Sequence, residues 1–585
     1  MSIKDRIINV LTEVSGEKVV SLEFTENPNF GDYSCNIALI MAKSEGKNPR
    51  ALAEEIKSKL SQSPELSKFV DKIEVAGPGF INFWLKTDVL VSNLMQIEEE
   101  KEKYGTSDSL KGQKIMFEYA HPNTHKAFHI GHLRNITTGE TLARLYEANG
   151  AEVVRANYQG DVGLHIAKAL WGIKRIGFDD PKDVKKRAEY LGKAYSTGSS
   201  AYEIDEKAKE EIHVINGIIY DKSDDEINKL YSETRQWSLD YFAEIYKRVY
   251  TKFDRFYFES EVYQKGKEIA LEALKKGILK ESEGAIIFPG SEYGLHDRVF
   301  ISGKGVPTYE AKDLGLAKLQ FSEYNPDKLI HTVGPEQSAY FQVIFKALEF
   351  IEPETKGREF HVPYGWVRLK EGKMSSRTGN VVLGEKILDD AKESIKKAYK
   401  TEDGVAEMIA VGAVKYSFLK TGLAQDISFD LKESISLEGN SGPYLQYTVA
   451  RTNSVLAKAS NKRMSEYANN IKLEIEELTV LRALSRFSEV IANAAKSYSP
   501  NLLCNYLYDL ASKFNTFYAH NRILNTNDER TKDEALGPAH NRIISEEGKT
   551  KNEEVGNFRL ALTAGTGQVL KNGLQLLGID APEKM

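Results

Sequence analysis

From Gln113 onward, short apolar strands alternate with helices, and this alternation constrains the fold more than any other feature of the chain. Residues 114–120 read as a strand, a polar loop follows, and a helix spans about 129–149 before Gly150 stops it. Residues 152–158 give another strand, and Lys328–Val333 a later one ahead of a helix over 340–351. Such a sheet buries both faces under helices, so the expectation is a doubly wound, parallel-sheet (Rossmann-type) α/β domain. Between about 180 and 277 the chain is charged and almost wholly helical, which reads as a helical insertion between the halves of that sheet.

Three segments are expected, since 585 residues exceed what one core supports. Residues 1–105 read as a small N-terminal α/β domain: a helix over 4–14, the turn-rich Asn27-Pro28-Asn29-Phe30-Gly31-Asp32, and strand character over 73–85 around Gly77-Pro78-Gly79. Residues 106–387 hold the parallel-sheet domain, and helical periodicity over 388–585 gives an all-α carboxy-terminal domain.

Hydrophobic residues at 41% and charged residues at 28% exclude a disordered or fibrous chain. The absence of a run of about 18 apolar residues excludes a membrane helix, and Met1-Ser2-Ile3-Lys4-Asp5-Arg6 lacks the apolar core of a signal peptide. Cys35 and Cys504 stand far apart, so neither a disulfide framework nor a cysteine zinc site is implied, and the cytoplasm fits. Net charge is −6, yet residues 441–525 carry ten Lys/Arg against six Asp/Glu, which permits an RNA surface there. Ala519-His520-Asn521-Arg522-Ile523 recurs as Ala539-His540-Asn541-Arg542-Ile543, a local duplication to which no function attaches.

Chemistry concentrates in two segments. In the first, a strand enters Phe117-Glu118-Tyr119-Ala120-His121-Pro122-Asn123-Thr124-His125-Lys126-Ala127-Phe128 and a helix opens at His129-Ile130-Gly131-His132. Helix-terminal amides and two histidines on one face of the first turn suit phosphate oxygens and charge developing on a breaking phosphoryl bond. The second, Trp366-Val367-Arg368-Leu369-Lys370-Glu371-Gly372-Lys373-Met374-Ser375-Ser376-Arg377-Thr378-Gly379-Asn380, offers cations and hydroxyls that suit a triphosphate, although alone it is better described as a solvated charged loop. Tyr309 and Asp313 lie four apart, and Gly334-Pro335-Glu336-Gln337 ends a strand where such sheets bind ligands. Glu118 and Asp313 fit a guanidinium, a metal or, for Asp313, a helix cap; the pattern leaves all three open.

His-Ile-Gly-His followed much later by Lys-Met-Ser-Ser resembles the class I aminoacyl-tRNA synthetases, whose two signatures embrace ATP. Glu-x-x-x-Pro-Asn-x-x-Lys, Tyr-x-x-x-Asp, Gly-x-Glu-Gln, the run Glu438-Gly439-Asn440-Ser441-Gly442-Pro443-Tyr444-Leu445-Gln446-Tyr447 and the ending Gly578-Ile579-Asp580-Ala581-Pro582-Glu583-Lys584-Met585 are each similar to the arginyl branch. The resemblance implies a ligase that activates L-arginine with Mg2+-bound ATP and loads it onto tRNA(Arg). It implies catalytic Lys126, His129, His132 and Lys373, with ATP also held by Gly131, Val367, Met374, Ser375, Ser376 and Arg377. Arginine would meet Glu118, His121, Asn123, Tyr309, Asp313 and Gln337, and the anticodon Tyr444, Tyr447, Arg451 and Met585. Residues 1–105 become a tRNA-elbow module through Asn29-Phe30-Gly31-Asp32-Tyr33, and 388–585 a stem and anticodon-binding domain. A monomer without a tightly bound metal is expected. One departure stands out: many class I enzymes carry a lysine at the place of Ser376.

Overall fold

The computed structural model describes residues 3–17, 20–25, 27–370, 382–459, 472–523 and 546–585. Two compact units form, one from Met1–Tyr104, Arg451–Phe487 and Asp509–Leu570, the other from Gly105–Ala450, Ser488–Tyr508 and Lys571–Met585. Residues 388–585, expected as one helical domain, therefore divide between units, because the helices Gly442–Lys458, Pro500–His520 and Glu546–Leu576 each supply residues to both.

The first unit contains a four-stranded antiparallel sheet in the order Leu22–Phe24, Tyr33–Cys35, Phe80–Leu85, Val70–Ala76. Helices Ile37–Glu45 and Pro49–Leu60 follow its second strand; Asn48 caps the latter by accepting from the Arg50 and Ala51 amides, with Pro49 in the first turn. The Asn29–Tyr33 stretch has a structural job besides any RNA contact. Gly31 has φ +85°, and a Cβ there would lie 2.5 Å from the Phe83 carbonyl oxygen, so only glycine fits. Buried Asp32 accepts from the Leu85 amide at 2.7 Å and lies 2.9 Å from Arg482, while Phe30 is left exposed.

The second unit is built on five parallel strands in the order Glu359–Pro363, Lys328–Val333, Lys114–Glu118, Glu152–Gln159, Arg255–Phe258. From the central strand the chain adds two strands on one side, then crosses to add two on the other. The switch point lies between Lys114–Glu118 and Lys328–Val333, and sheets of this kind bind ligands beyond their carboxyl ends there. Helices cover both faces, so Ile115, Met116, Phe117, Leu329 and Ile330 are fully buried.

Two expectations change. Arg255–Phe258 falls inside the presumed insertion yet is the sheet's edge strand, so the inserted bundle reduces to Val184–Ile204, Glu206–Asp221 and Asp225–Arg248. Four residues between charged helical stretches leave a weak strand signal, which burial of Tyr257 against the sheet overrides. Within the expected all-α segment, Ile427–Phe429 pairs in parallel with Val367–Leu369.

Candidate active site

The central strand ends at Glu118, and the loop after it is backbone-strained. Ala120, His121 and His125 have φ of 82°, 49° and 60°, each costing on the order of 1–3 kcal/mol for a non-glycine residue. Fixed partners hold that shape. Asn135 accepts from the Ala120 amide at 2.6 Å and donates to the Thr332 carbonyl and Tyr364 hydroxyl. The Thr124 amide donates to the Gly160 carbonyl, and the His125 amide to Ser238 Oγ at 2.9 Å. Thr234 Oγ1, itself donating to the Leu230 carbonyl, accepts from His125 Nε2 at 2.8 Å.

The loop delivers the chain to the helix Ile130–Ala148, capped by histidines. Nδ1 of His129 accepts from the Gly131 amide, and Nδ1 of His132 accepts from the His129 amide, each at 3.1 Å. The rings stack with centroids 3.8 Å apart, and a Cβ on Gly131 would lie 2.9 Å from the His129 ring. An amide can only donate, so both Nδ1 atoms are deprotonated and each neutral ring carries its proton on Nε2. Burial, then the Lys126 charge, lowers the pKa of His129; burial, then His129, lowers that of His132 further. Two neutral Nε2–H donors at a positive helix end suit an oxygen that carries negative charge.

Both roots of the second signature reach this helix. On one side Arg134 donates to the carbonyls of Trp366, Leu423 and Gln425 at 3.0–3.1 Å, beside Val367–Leu369. On the other, the Ile130 amide donates to the Val382 carbonyl at 3.1 Å and the Gly384 amide to the Phe128 carbonyl at 3.0 Å. Val367 is buried here; Lys373, Met374, Ser375, Ser376 and Arg377 lie outside the described residues. Lys126 is half-buried, with Nζ 5.4 Å from the Tyr195 ring centre.

At the switch point a cavity of about 370 Å³ is lined by Glu118, His121, Tyr309, Asp313, Gln337 and further residues including Tyr158, Gln320, His331, Tyr340 and Glu359. Five of the six expected arginine-pocket residues thus meet. Asn123 is not among the lining residues; it forms a bridge with Gly160, where a Cβ would lie 2.1 Å from its Oδ1. Helix Tyr309–Tyr324 presents Tyr309 and Asp313 on one face, as their spacing requires. Tyr340 donates to Asp313 at 2.6 Å; Gln320 and His331 Nδ1 (3.0 Å) donate to Glu118.

Burial opposes the charge on Glu118, but His331, then His121 and Gln320, outweigh it and hold the carboxyl below its usual range. Asp313 is pushed up to about 7 by burial, against the Tyr340 hydrogen bond and with Glu118 adding to the rise. The cavity is therefore rich in carboxylates, with Glu118, Glu310, Asp313 and Glu359 in its walls beside Arg298 and His331. Its walls also hold buried polar atoms without a hydrogen-bond partner among the described residues: His121 Nε2, Tyr158 Oη, Gln320 Oε1, His331 Nε2 and Glu359 Oε1. No group of three or more His, Cys, Asp or Glu among the described residues is arranged to hold a metal ion.

His331, Glu359, Gln320 and Tyr340 escaped the sequence reading. The signal for the first two is cross-strand register, which pairs His331 with Glu118 and Leu329 with Glu359. Away from the cavity, Tyr444, Tyr447 and Arg451 are each half-buried on helix Gly442–Lys458, and Met585 is exposed. Tyr444 packs on Tyr508 with ring centres 5.6 Å apart, and Arg451 lies 5.2 Å from the Tyr518 ring.

Comparison with known proteins gives consistent matches. Residues 93–431 match the model for the class I (R) tRNA synthetase catalytic domain, 1–85 that for the arginyl tRNA synthetase N-terminal domain, and 445–537 with 539–585 that for the DALR anticodon binding domain. The chain is 31% identical to an arginine–tRNA ligase of Bacteroides thetaiotaomicron across 100% of both chains. It is 32% identical to one of Borrelia hermsii, covering 86% of this chain and 85% of that one. Among solved structures, the Thermus thermophilus arginyl-tRNA synthetase superposes with a TM-score of 0.80 at 25% identity, over 100% of this chain and 99% of that one.

Proposed function

Because the chain belongs to the arginyl-tRNA synthetase family and is an arginine–tRNA ligase, we propose that the acidic cavity is its arginine pocket and the His129–His132 helix end its nucleotide site. The observation that carries this reading is convergence. Glu118, Tyr309 with Asp313, and Gln337, from three separate stretches of chain, meet in one cavity at the switch point.

The guanidinium, with five N–H donors, is met by Glu118 and Asp313. ATP, entering with Mg2+ as its substrate complex, places its phosphates against the His129 and His132 Nε2–H donors, Gly131 and Lys126, and Val367, Lys373, Met374, Ser375, Ser376 and Arg377 of the second signature also bind it. An arginine carboxylate oxygen attacks the α-phosphorus and pyrophosphate departs. The 2′-hydroxyl of the terminal tRNA ribose then attacks the acyl carbon, AMP leaves, and the ester remains on tRNA. No enzyme nucleophile takes part, so the rate comes from orientation and from donors aimed at developing negative charge.

The proposal extends to partners and place. Residues 1–105 recognise the tRNA elbow and 388–585 the anticodon, the enzyme works as a monomer, and it acts in the cytoplasm. No helix among the described residues is long and apolar enough to cross a membrane.

Charging of bulk tRNA with each amino acid in turn tests the substrate assignment, and only arginine should be incorporated. In the arginyl branch activation typically requires tRNA, so ATP–pyrophosphate exchange should be negligible until cognate tRNA is added. Robust exchange without tRNA would show that this coupling is missing.

Tyr447 offers a test of the anticodon face. Losing a base-stacking aromatic costs about 1–3 kcal/mol, so Tyr447→Ala should weaken tRNA binding about 5- to 150-fold. The loss should be smaller for tRNA whose anticodon is already altered. A lower melting temperature with unchanged tRNA affinity would instead make Tyr447 a packing residue.

A further inference from the structure

His331 and Glu359 belong to no motif, yet they lie directly beneath the acidic cavity. Register places Glu118, His331 and His361 in one row across three adjacent parallel strands, with Glu359 one step back on the same face. His331 Nδ1 lies 3.0 Å from Glu118 Oε1, and its Nε2 lies 3.9 Å from Glu359 Oε2. Phe341 and Phe345 close over the ring, with centroids 4.9 and 5.6 Å away. All three polar side chains are less than 10% exposed.

We propose that His331 is a positioning residue of the guanidinium pocket: wedged as a cation between Glu118 and Glu359, it aims Glu118 at arginine and keeps it ionised. The inference rests on reading the cavity as the arginine pocket and deepens that reading.

The charges support it from every side. Facing His331 are Glu118 from the central strand, Glu359 and His361 from the edge strand, Asp313 from helix Tyr309–Tyr324, and His121 from the signature loop. Burial alone would neutralise the ring, but Glu118, Glu359 and Asp313 outweigh it and raise its pKa. His121 and His361 are driven toward the neutral form, chiefly by burial. His331 thus faces three carboxylates, two of which, Asp313 and Glu359, are pushed up to about 7. Without the His331 ring, the neutral amide of Gln320 is the side-chain hydrogen-bond donor left to Glu118 among the described residues.

A pH signature follows, with opposite signs for two variants. A guanidinium favours the ionised form of Asp313, so arginine binding tightens as pH rises through about 7 and releases a proton. Removing the imidazolium lets the carboxylates hold their protons to higher pH, so His331→Gln is most impaired on the acid side. Removing Glu359 lets His331 lose its proton earlier, so Glu359→Gln is most impaired on the alkaline side.

The test is the arginine KM in tRNA charging, measured from about pH 6 to 9 with the full chain. His331→Gln should raise that KM about tenfold at neutral pH, the excess shrinking as pH increases. Its kcat and its KM for ATP should stay within about twofold of the parent. An unchanged arginine KM in His331→Gln, or a rise equal at every pH, would overturn the proposal. If His331→Gln does not fold, Glu359→Gln carries the test alone, and a pH profile parallel to the parent's overturns it. Asp313→Ala separates the two levels. If it raises the arginine KM while His331→Gln does not, only this inference fails; if neither does, the pocket reading fails first.

Discussion

Citrulline should be charged at least about 10⁴-fold less efficiently than arginine, the discrimination open to a site built around polar contacts. It is nearly isosteric with arginine but neutral, and an oxygen replaces one guanidinium nitrogen. Binding it would leave Glu118, held ionised by His331, facing a group with no positive charge and fewer donors. An unpaired buried carboxylate costs far more than a lost surface contact. The discrimination should fall in acid, because Asp313, pushed up to about 7, then carries a proton it can donate to the citrulline oxygen. The measurement is kcat/KM for tRNA charging with each amino acid on either side of neutrality. Asp313→Ala should raise the arginine KM well before that for ATP. Comparable charging of the two amino acids would remove the guanidinium from this cavity.

Lys126→Ala should cut adenylate formation by about 10²- to 10³-fold, with little change in tRNA affinity. The transition state spreads negative charge over the departing pyrophosphate, and Ser376 offers a hydroxyl where a lysine often stands. Lys126 is placed to compensate. It makes no ion pair within 4 Å among the described residues, while the nearby buried Glu259 is engaged by Lys312 at 2.6 Å. Its charge bears on both His129 and His132. Burial, reinforced by Lys168 and opposed by Glu259, lowers its pKa, and an approaching triphosphate favours its charged form. A charge-assisted contact made mainly in the transition state is worth about 3–4 kcal/mol, which sets the expected factor. Single-turnover adenylate formation reads it, and Ser376→Lys in the same protein should recover part of the loss. Near-normal kcat in Lys126→Ala would end the compensation argument and leave the task to Lys373 and Arg377.

How much was legible depended on whether a residue's meaning was local. The switch between period-two and helical patterning located the central strand, the signature helix and Lys328–Val333 to within a residue or two. Glu118, Tyr309, Asp313 and Gln337 stood out because each occupies a marked place in a short motif. His331 and Glu359 did not, because what they do depends on which strands are neighbours and in what register. Nothing within 30 residues of Glu118 announces that Lys328–Val333 lies alongside it. The edge strand Arg255–Phe258 was hidden for a related reason: its pairing with Glu152–Gln159, not its own four residues, makes it a strand. Helix periodicity likewise gave no sign that residues 388–585 would divide between two compact units.

The signature loop does not carry its own shape. Its His125 takes one partner from Ser238 and another from Thr234, 113 and 109 residues downstream on the helix Asp225–Arg248. Grafting residues 117–132 into a foreign scaffold would move the letters and leave the geometry behind. A trimmed catalytic fragment without that helix would likewise keep both histidines and lose the mould that sets them. In this chain the loop and its distant helix form one piece, so the inserted bundle takes part in shaping the signature.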